Sequence, residues 1–194
     1  MKRWLIAVKP MALPKIVLPM VVGLSLGYRD AIEVSWFAVV FGLMLAVCAQ
    51  WAVVLLNDYA DREADARHAK SFPELLDARV LVSGLLTPGS VLMVGLLAVL
   101  GVLVSAGALY WLGRPSALWL GVVGLLLFWA YSFSPLKLNY RGGGEILETL
   151  GVGLLLPATG YYICSGQLNI DHAHLLTPVV LYAFIGALAS GLKH

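Results

Sequence analysis

Six long apolar runs leave this chain little choice of solvent. They extend from Met11 to Tyr28, Trp36 to Leu56, Val91 to Leu112, Ala117 to Ala130, Ile146 to Cys164 and Leu175 to Leu192. A helix needs about 20 residues to cross about 30 Å of hydrocarbon. Most of the runs approach that length; the fourth is short and is expected to draw in its flanks. Charged residues make up only 12% of the 194 residues, against about 25% in a soluble domain. That is too little charge to cover a globular surface in water. In lipid the backbone must satisfy its own polar groups, so helix is the default for each run. No run alternates polar and apolar residues as a membrane strand would. The expectation is an all-α membrane protein of about six transmembrane helices, forming one domain over residues 1–194. A net charge of +2 is too small for a nucleic-acid binder. The run from Trp4 to Val8 is cut by Lys9 and Pro10, too early for a secretory signal core.

Charge placement gives the topology. Of 13 Lys and Arg residues, Lys2, Arg3, Lys9, Lys15, Arg62, Arg67, Lys70, Arg79, Lys137, Arg141 and Lys193 fall on one side of a six-span arrangement. Only Arg29 and Arg114 fall on the other. The positive-inside rule then puts both termini in the cytoplasm, with Trp36, Trp111 and Trp119 near the outer interface. The first run carries Pro10, Pro14 and Pro19 with Lys9 and Lys15 among them. A lipid-facing helix would not choose these residues; a kinked helix lining a polar cavity would. Gly23 and Gly27 form a GxxxG pair suited to close helix packing. Cys48 and Cys164 lie inside apolar runs and read as small buried hydrophobes. Asp171, His172 and His174 read as a surface loop on the outer side rather than a metal site.

The chemistry gathers in two cytoplasmic loops. If the second helix continues past Leu56, then Asn57, Asp61 and Asp65 recur at one-turn spacing, and Asp58 lies beside them on the same face. Four oxygen-bearing side chains facing one way repel each other unless a cation sits between them. Hard oxygen ligands in this number suit Mg²⁺, which keeps waters and takes phosphate oxygens as its remaining ligands. The competing reading is a solvated acidic helix end, neutralised by Asp58–Arg62 and Glu63–Arg67 pairs. The loop continues through Arg67, His68, Lys70 and Arg79, and cations beside an acidic metal site are what a diphosphate requires. The second loop runs from Tyr131 through Lys137, Tyr140 and Arg141 to Gly142-Gly143-Gly144-Glu145. Such a glycine turn either cradles an anion on its N–H groups or simply joins two helices. Glu145 and Glu148 open the following helix, where the helix dipole favours them.

These residues resemble a known family. Asn57-Asp58-x-x-Asp61-x-x-x-Asp65 at the end of a second membrane helix is similar to the first aspartate motif, NDxxDxxxD, of UbiA-type intramembrane prenyltransferases. The stretch from Arg79 through Gly84 to Pro88 resembles the segment that follows it in the family. Tyr131-x-x-x-Pro135-Leu-Lys137, Tyr140-Arg141-Gly142-x-Gly144-Glu145 and Gly160-Tyr161-Tyr162 resemble its fourth-to-fifth-helix region. The wording is nearest to members that prenylate dihydroxynaphthoate for menaquinone. The resemblance implies a multi-pass protein of a prokaryotic cell membrane. Its implied activity is Mg²⁺-dependent transfer of a polyprenyl group from a polyprenyl diphosphate to an aromatic acceptor. By the same resemblance Asn57, Asp61 and Asp65 hold metal with Asp58 in support. Lys137 and Arg141, with Arg79 and Lys9, grip the diphosphate, and Phe128, Trp129 and Tyr131 face an allylic cation in a dry cavity.

Two other classes stand beside this one. A phospholipid-type phosphotransferase also clusters aspartates, but would show a DG-x-x-AR arrangement that Asn57-Asp58-Tyr59 lacks. A non-catalytic transport or binding protein would carry charges in mid-span, and spans two to six carry essentially none away from their ends. The family's usual bundle has nine helices, with a second aspartate motif after the sixth. The present residues stop at the sixth apolar run and carry no second cluster, so the resemblance implies a partial member lacking the C-terminal third. Two expectations follow. Reporter fusions after Ser35, Pro115 and Asn169 should read as external, and an internal signal at Asn169 would refute the six-span count. The purified 194-residue chain should bind a prenyl diphosphate weakly and turn over little or not at all; robust Mg²⁺-dependent transfer without added chains would overturn that expectation.

Overall fold

The computed structural model describes residues 2–71, 80–168 and 173–191. Within them the chain is helical, with no strand. The first apolar run is broken as its prolines require. Helix α1 (Lys2–Ala7) ends at a kink around Lys9. A 3-10 turn follows at Pro10–Ala12, and α2 (Leu13–Asp30) then carries Pro19 in its interior. Helix α3 (Trp36–Ser71) is continuous for 36 residues, about 54 Å at 1.5 Å per residue. It therefore crosses the hydrocarbon and projects well beyond it. Helix α4 (Pro88–Trp111) starts at Thr87, whose side chain accepts from the Ser90 N–H, with Pro88 in the first turn. Helix α5 (Ser116–Ser132) takes in the flanks of the short fourth run, as expected.

A short helix α6 (Leu138–Arg141) precedes a continuous rod made of α7 (Gly144–Glu148), a π-helical stretch (Thr149–Leu155) and α8 (Leu156–Ser165). Helix α9 (Thr177–Gly191) follows a 3-10 turn. Four helical stretches are long and apolar enough to cross a membrane, and two shorter apolar helices, α5 and α9, complete the six. The sequence expectation of about six apolar helices holds.

Helix α3 packs along α4 and α2 along α8, while α9 lies against α7 and the π stretch. Met20, Leu45, Val102, Leu109 and Ile163 meet in the main core. A second, smaller cluster of Ala7, Leu55, Val80 and Val91 joins α1 to the middle of α3 and the start of α4. Cys48 and Cys164 are free thiols packed with the main core.

The two ends of the bundle are chemically distinct. At one end Tyr161 Oη donates to Asp30 Oδ2 at 2.9 Å, and Arg114 Nε donates to the Ile163 carbonyl at 2.8 Å. The Ser116 N–H donates to Tyr162 Oη at 3.1 Å. Trp36 and Trp119, at the first turns of α3 and α5, and Trp111, in the last turn of α4, are exposed there. The aspartate motif lies at the other end. Among the described residues, Arg29 and Arg114 stand at the end away from the aspartate motif; Arg79 and Lys193 lie outside the described residues.

The α2–α8 contact is made by small residues. A methyl group built on Gly23 would run into the Pro157 carbonyl, one on Gly27 into the Tyr161 carbonyl, and one on Gly160 into the Met20 carbonyl. The Gly23–Gly27 pair is a packing motif, as its spacing indicated. In lipid, such backbone approach replaces the hydrophobic drive for helix association. Because the obstacle is backbone, no side-chain rotation relieves it. Gly23→Leu should therefore destabilise the bundle by about 1–3 kcal/mol, seen as a lower unfolding midpoint in detergent, whereas Gly89→Leu, with open space around it, should leave the midpoint nearly unchanged.

Candidate active site

The aspartate face sits where α3 leaves the apolar layer. The helix is unbroken through Ser71, so Asn57, Asp61 and Asp65 keep one-turn spacing on one side. Asn57 is the hub of the hydrogen-bond network. Its Nδ2 donates to Asp61 Oδ2 at 3.0 Å, and its Oδ1 accepts from Ser132 Oγ at 2.8 Å. The amide thereby ties α3 to the end of α5. Asp61 is only 7% exposed, a costly place for a carboxylate without compensating charge. Lys137 supplies some of that charge, its Nζ standing 3.7 Å from Asp61 Oδ1. Asp58 is served from the other side of the chain: Lys9 Nζ donates to its Oδ1 at 2.7 Å. Arg62 does not pair with Asp58. It donates to the Tyr59 carbonyl at 2.8 Å, reaches Glu63 at 3.5 Å and lies over the Tyr59 ring at 4.4 Å. For Asp58, long-range pairing replaces the local helix pair of the acidic-end reading.

Both lysines adopt the left-handed backbone conformation, with φ of 44° at Lys9 and 45° at Lys137. Each stands at a helix break just before a short helical element. A third ion pair, Lys15 with Glu148, joins α2 to α7. Gly142 and Gly143 have φ of 86° and 97° and reverse the chain before α7. Gly144 has no room for a Cβ, which would lie 2.9 Å from Asn139 Cα and 3.2 Å from the Tyr131 ring. Turn geometry and this close contact account for the glycine run.

A cavity of about 630 Å³ opens beside the motif. Its polar end carries Lys9, Lys15, Asn57, Asp58, Tyr131 and Glu148; its interior is hydrocarbon from Leu45, Val102, Leu120, Leu125, Leu155 and Leu156. Leu45 lies 12 residues before Asn57 on the same helix, about 18 Å deeper. Part of the wall is the π-helical stretch, a local widening often found at functional sites.

The predicted residues divide on this geometry. Asn57, Asp58, Lys9, Phe128 and Tyr131 line the cavity, and Asp61 and Lys137 stand next to Asn57 in the network. Asp65 lies one turn beyond, partly buried. Trp129 does not face the cavity: it is 43% exposed, on the part of α5 turned away from Phe128. Arg141 is exposed and makes no ion pair or side-chain hydrogen bond among the described residues. Arg79, Asp171 and His172 lie outside the described residues, and the His174 carbonyl accepts from Thr177 Oγ1. Sequence reasoning missed Ser132, Gln50 and the Lys15–Glu148 pair. Gln50 could have been found, as an amide inside an apolar run seven residues before Asn57.

Among the described residues no three His, Cys, Asp or Glu side chains gather closely enough to hold a metal by themselves. What is gathered is an oxygen set of Asn57 and Asp61 with Asp58 adjacent. Mg²⁺ takes only one or two carboxylates from a protein and fills its shell with water and substrate oxygen. The residues fit Mg²⁺ arriving with a ligand better than a ready-made cage.

An all-helical bundle with an oxygen-rich, cation-bearing mouth over a largely hydrocarbon cavity has the chemistry to suit an amphipathic anion. The chain belongs to the UbiA prenyltransferase family, whose model matches residues 16–194. It is 29% identical over 191 residues to 2-carboxy-1,4-naphthoquinone phytyltransferase of Synechocystis sp., covering 95% of this chain and 56% of that protein. It is 30% identical over 193 residues to 1,4-dihydroxy-2-naphthoate octaprenyltransferase of Mycobacterium leprae, covering 97% of this chain and 60% of that protein. A protoheme IX farnesyltransferase of Yersinia enterocolitica is 29% identical over 178 residues, covering 90% of this chain and 55% of that protein. The chain thus spans somewhat over half the length of these relatives. Its fold matches a UbiA homolog from Archaeoglobus fulgidus with a TM-score of 0.71 at 18% identity, over 94% of this chain and 58% of that one.

Proposed function

We propose that this chain carries the donor site of a membrane prenyltransferase, which transfers a polyprenyl group from a polyprenyl diphosphate to an aromatic acceptor of the quinone-precursor type, such as dihydroxynaphthoate. The observation that carries this reading is the cavity: charged at one end and lined mostly by hydrocarbon for about 18 Å below. A diphosphate head and an isoprenoid tail have that same division. Family membership and the naphthoate-type names of two relatives support the donor and acceptor classes. The proposed setting is a prokaryotic cell membrane, with both termini and the aspartate motif on the cytoplasmic side.

The chain's own residues have clear tasks in this chemistry. Asn57, Asp61 and Asp65 would hold Mg²⁺, with Asp58 beside them; when bound, the ion neutralises diphosphate oxygens and so favours departure of the leaving group. Lys9 and Lys137 already stand at Asp58 and Asp61. They exchange carboxylate for diphosphate oxygen when the donor enters, with Arg79 and Arg141 as further cations on the same loops. As the carbon–oxygen bond of the donor breaks, its electron pair leaves with the diphosphate, and the lysines stabilise the charge that develops there. Phe128 and Tyr131 turn aromatic groups toward the cavity, where an allylic cation is stabilised by ring faces. The leucine and valine wall excludes water, which would otherwise capture the cation. An aromatic carbon of the acceptor then forms the new bond and the ring loses its proton.

Asp61→Ala or Asp65→Ala should abolish Mg²⁺-dependent binding of geranyl diphosphate while the helical content remains, and Asp65→Ala should also keep the unfolding transition. Removing one carboxylate from a like-charged cluster relieves repulsion rather than adding it. Equilibrium binding with and without Mg²⁺ checks this; unchanged affinity and unchanged metal dependence in either variant would show the site assignment to be wrong.

A further inference from the structure

One polar group in the cavity has no task in donor binding. Gln50 lines the cavity and is 3% exposed. Its side-chain amide has no hydrogen-bond partner among the described residues. It sits seven residues, two helical turns, before Asn57 on α3, which places it about 10.5 Å deeper on nearly the same face. A carboxamide offers two N–H donors and an oxygen acceptor, and leaving it unpaired in an apolar layer is costly. Thr159, also 3% exposed, lines the same cavity from α8; its hydroxyl donates to the Leu155 carbonyl at 2.7 Å, leaving its oxygen able to accept.

Away from the mouth, the rest of the lining is aliphatic, with glycines and Phe128 among it. A diphosphate head stays at the charged mouth. An isoprenoid tail is pure hydrocarbon and gives an amide nothing to bond. A second ligand that carries oxygen into the apolar layer would satisfy Gln50.

We infer that Gln50 is a specificity-determining residue for the acceptor, hydrogen-bonding a carbonyl or hydroxyl oxygen of a flat aromatic ring inside the cavity. This rests on the prenyltransferase reading of the same cavity. The amide selects oxygenated rings over plain hydrocarbon, because a ring without oxygen leaves Gln50 buried and unpaired. It also favours uncharged oxygen, since an amide cannot neutralise a full charge at this depth.

The test uses the purified chain in one detergent, so that partition into micelles is common to all measurements. Equilibrium binding of 1,4-naphthoquinone and of naphthalene is measured for the native chain, Gln50→Leu and Gln50→Met, with Mg²⁺–geranyl diphosphate binding measured alongside. The expected result is an approximately tenfold preference for the quinone in the native chain, about 1.4 kcal/mol, that vanishes in both variants while geranyl diphosphate affinity is unchanged. A preference that survives both substitutions, or no preference in the native chain, overturns the proposal. Loss of geranyl diphosphate binding in both variants also overturns it, by making Gln50 a structural residue. Failure of the native chain to bind geranyl diphosphate would instead sink the prenyltransferase reading, and the quinone comparison would still judge Gln50.

Discussion

Hydrocarbon penalises any polar group that lacks a partner, and much of the arrangement of this bundle follows from that. Among the described residues, charged side chains lie toward its two ends, and several of them are paired across helices far apart in sequence. At one end Asp30 meets Tyr161 and Arg114 meets the Ile163 carbonyl. At the other, Lys9 meets Asp58, Lys15 meets Glu148 and Lys137 meets Asp61. The first set fastens helix ends to one another. The second does so too, but its members line or border a cavity, so a ligand can compete for them. The same kind of interaction is structural at one end and available for chemistry at the other.

Small residues decide where the bundle closes and where it stays open. Gly23, Gly27 and Gly160 bring α2 and α8 together until backbone touches backbone, and nothing can enter there. Gly121, Gly124 and Gly151 instead line the cavity, and a Cβ on Gly151 would meet nothing within 4 Å. Gly151 lies in the π-helical stretch, where the wider turn already displaces the wall. Open space beside the cavity therefore goes with the absent side chain at Gly151, while rigidity arises from absent side chains on α2 and α8.

How much of this could be read from sequence depends on the range of the interaction involved. The six apolar helices and the shared face of Asn57, Asp61 and Asp65 follow from composition and a period of 3.6, which act within one segment. The kink around Lys9 was legible because proline imposes it locally. The partner of Asp58 was not: the local rule offers Arg62, four residues on, whereas Lys9 arrives only because Ala7 and Trp4 dock against Leu55. Phe128 and Trp129 are neighbours with equal claims by residue type. The azimuth of α5 alone separates them, and no periodic pattern on a uniformly apolar helix announces that azimuth. Gln50 was missed for a different reason. An uncharged amide in mid-span gives a weaker signal than a charge, although it faces the same kind of desolvation problem.

The two lysines that serve the aspartates share one further property. Both are non-glycine residues held in the left-handed region, a conformation that costs on the order of 1 kcal/mol or more and persists only where the surroundings enforce it. Regular helix at Lys9 or Lys137 would relieve that cost. It would also carry the chain on along a single axis, with side chains tilted toward the N-terminal turn. Breaking the helix at each lysine turns the chain there, and each side chain reaches the end of α3 from a different direction, Lys9 from α1 and Lys137 from the connection after α5. The enforcing contacts are visible on one side in the cluster of Ala7, Leu55, Val80 and Val91, and on the other in the fit of Gly144 against Asn139 and Tyr131. Backbone strain at two points is thus offset by packing around them, and its result is a pair of cations aimed from opposite sides at one row of aspartates.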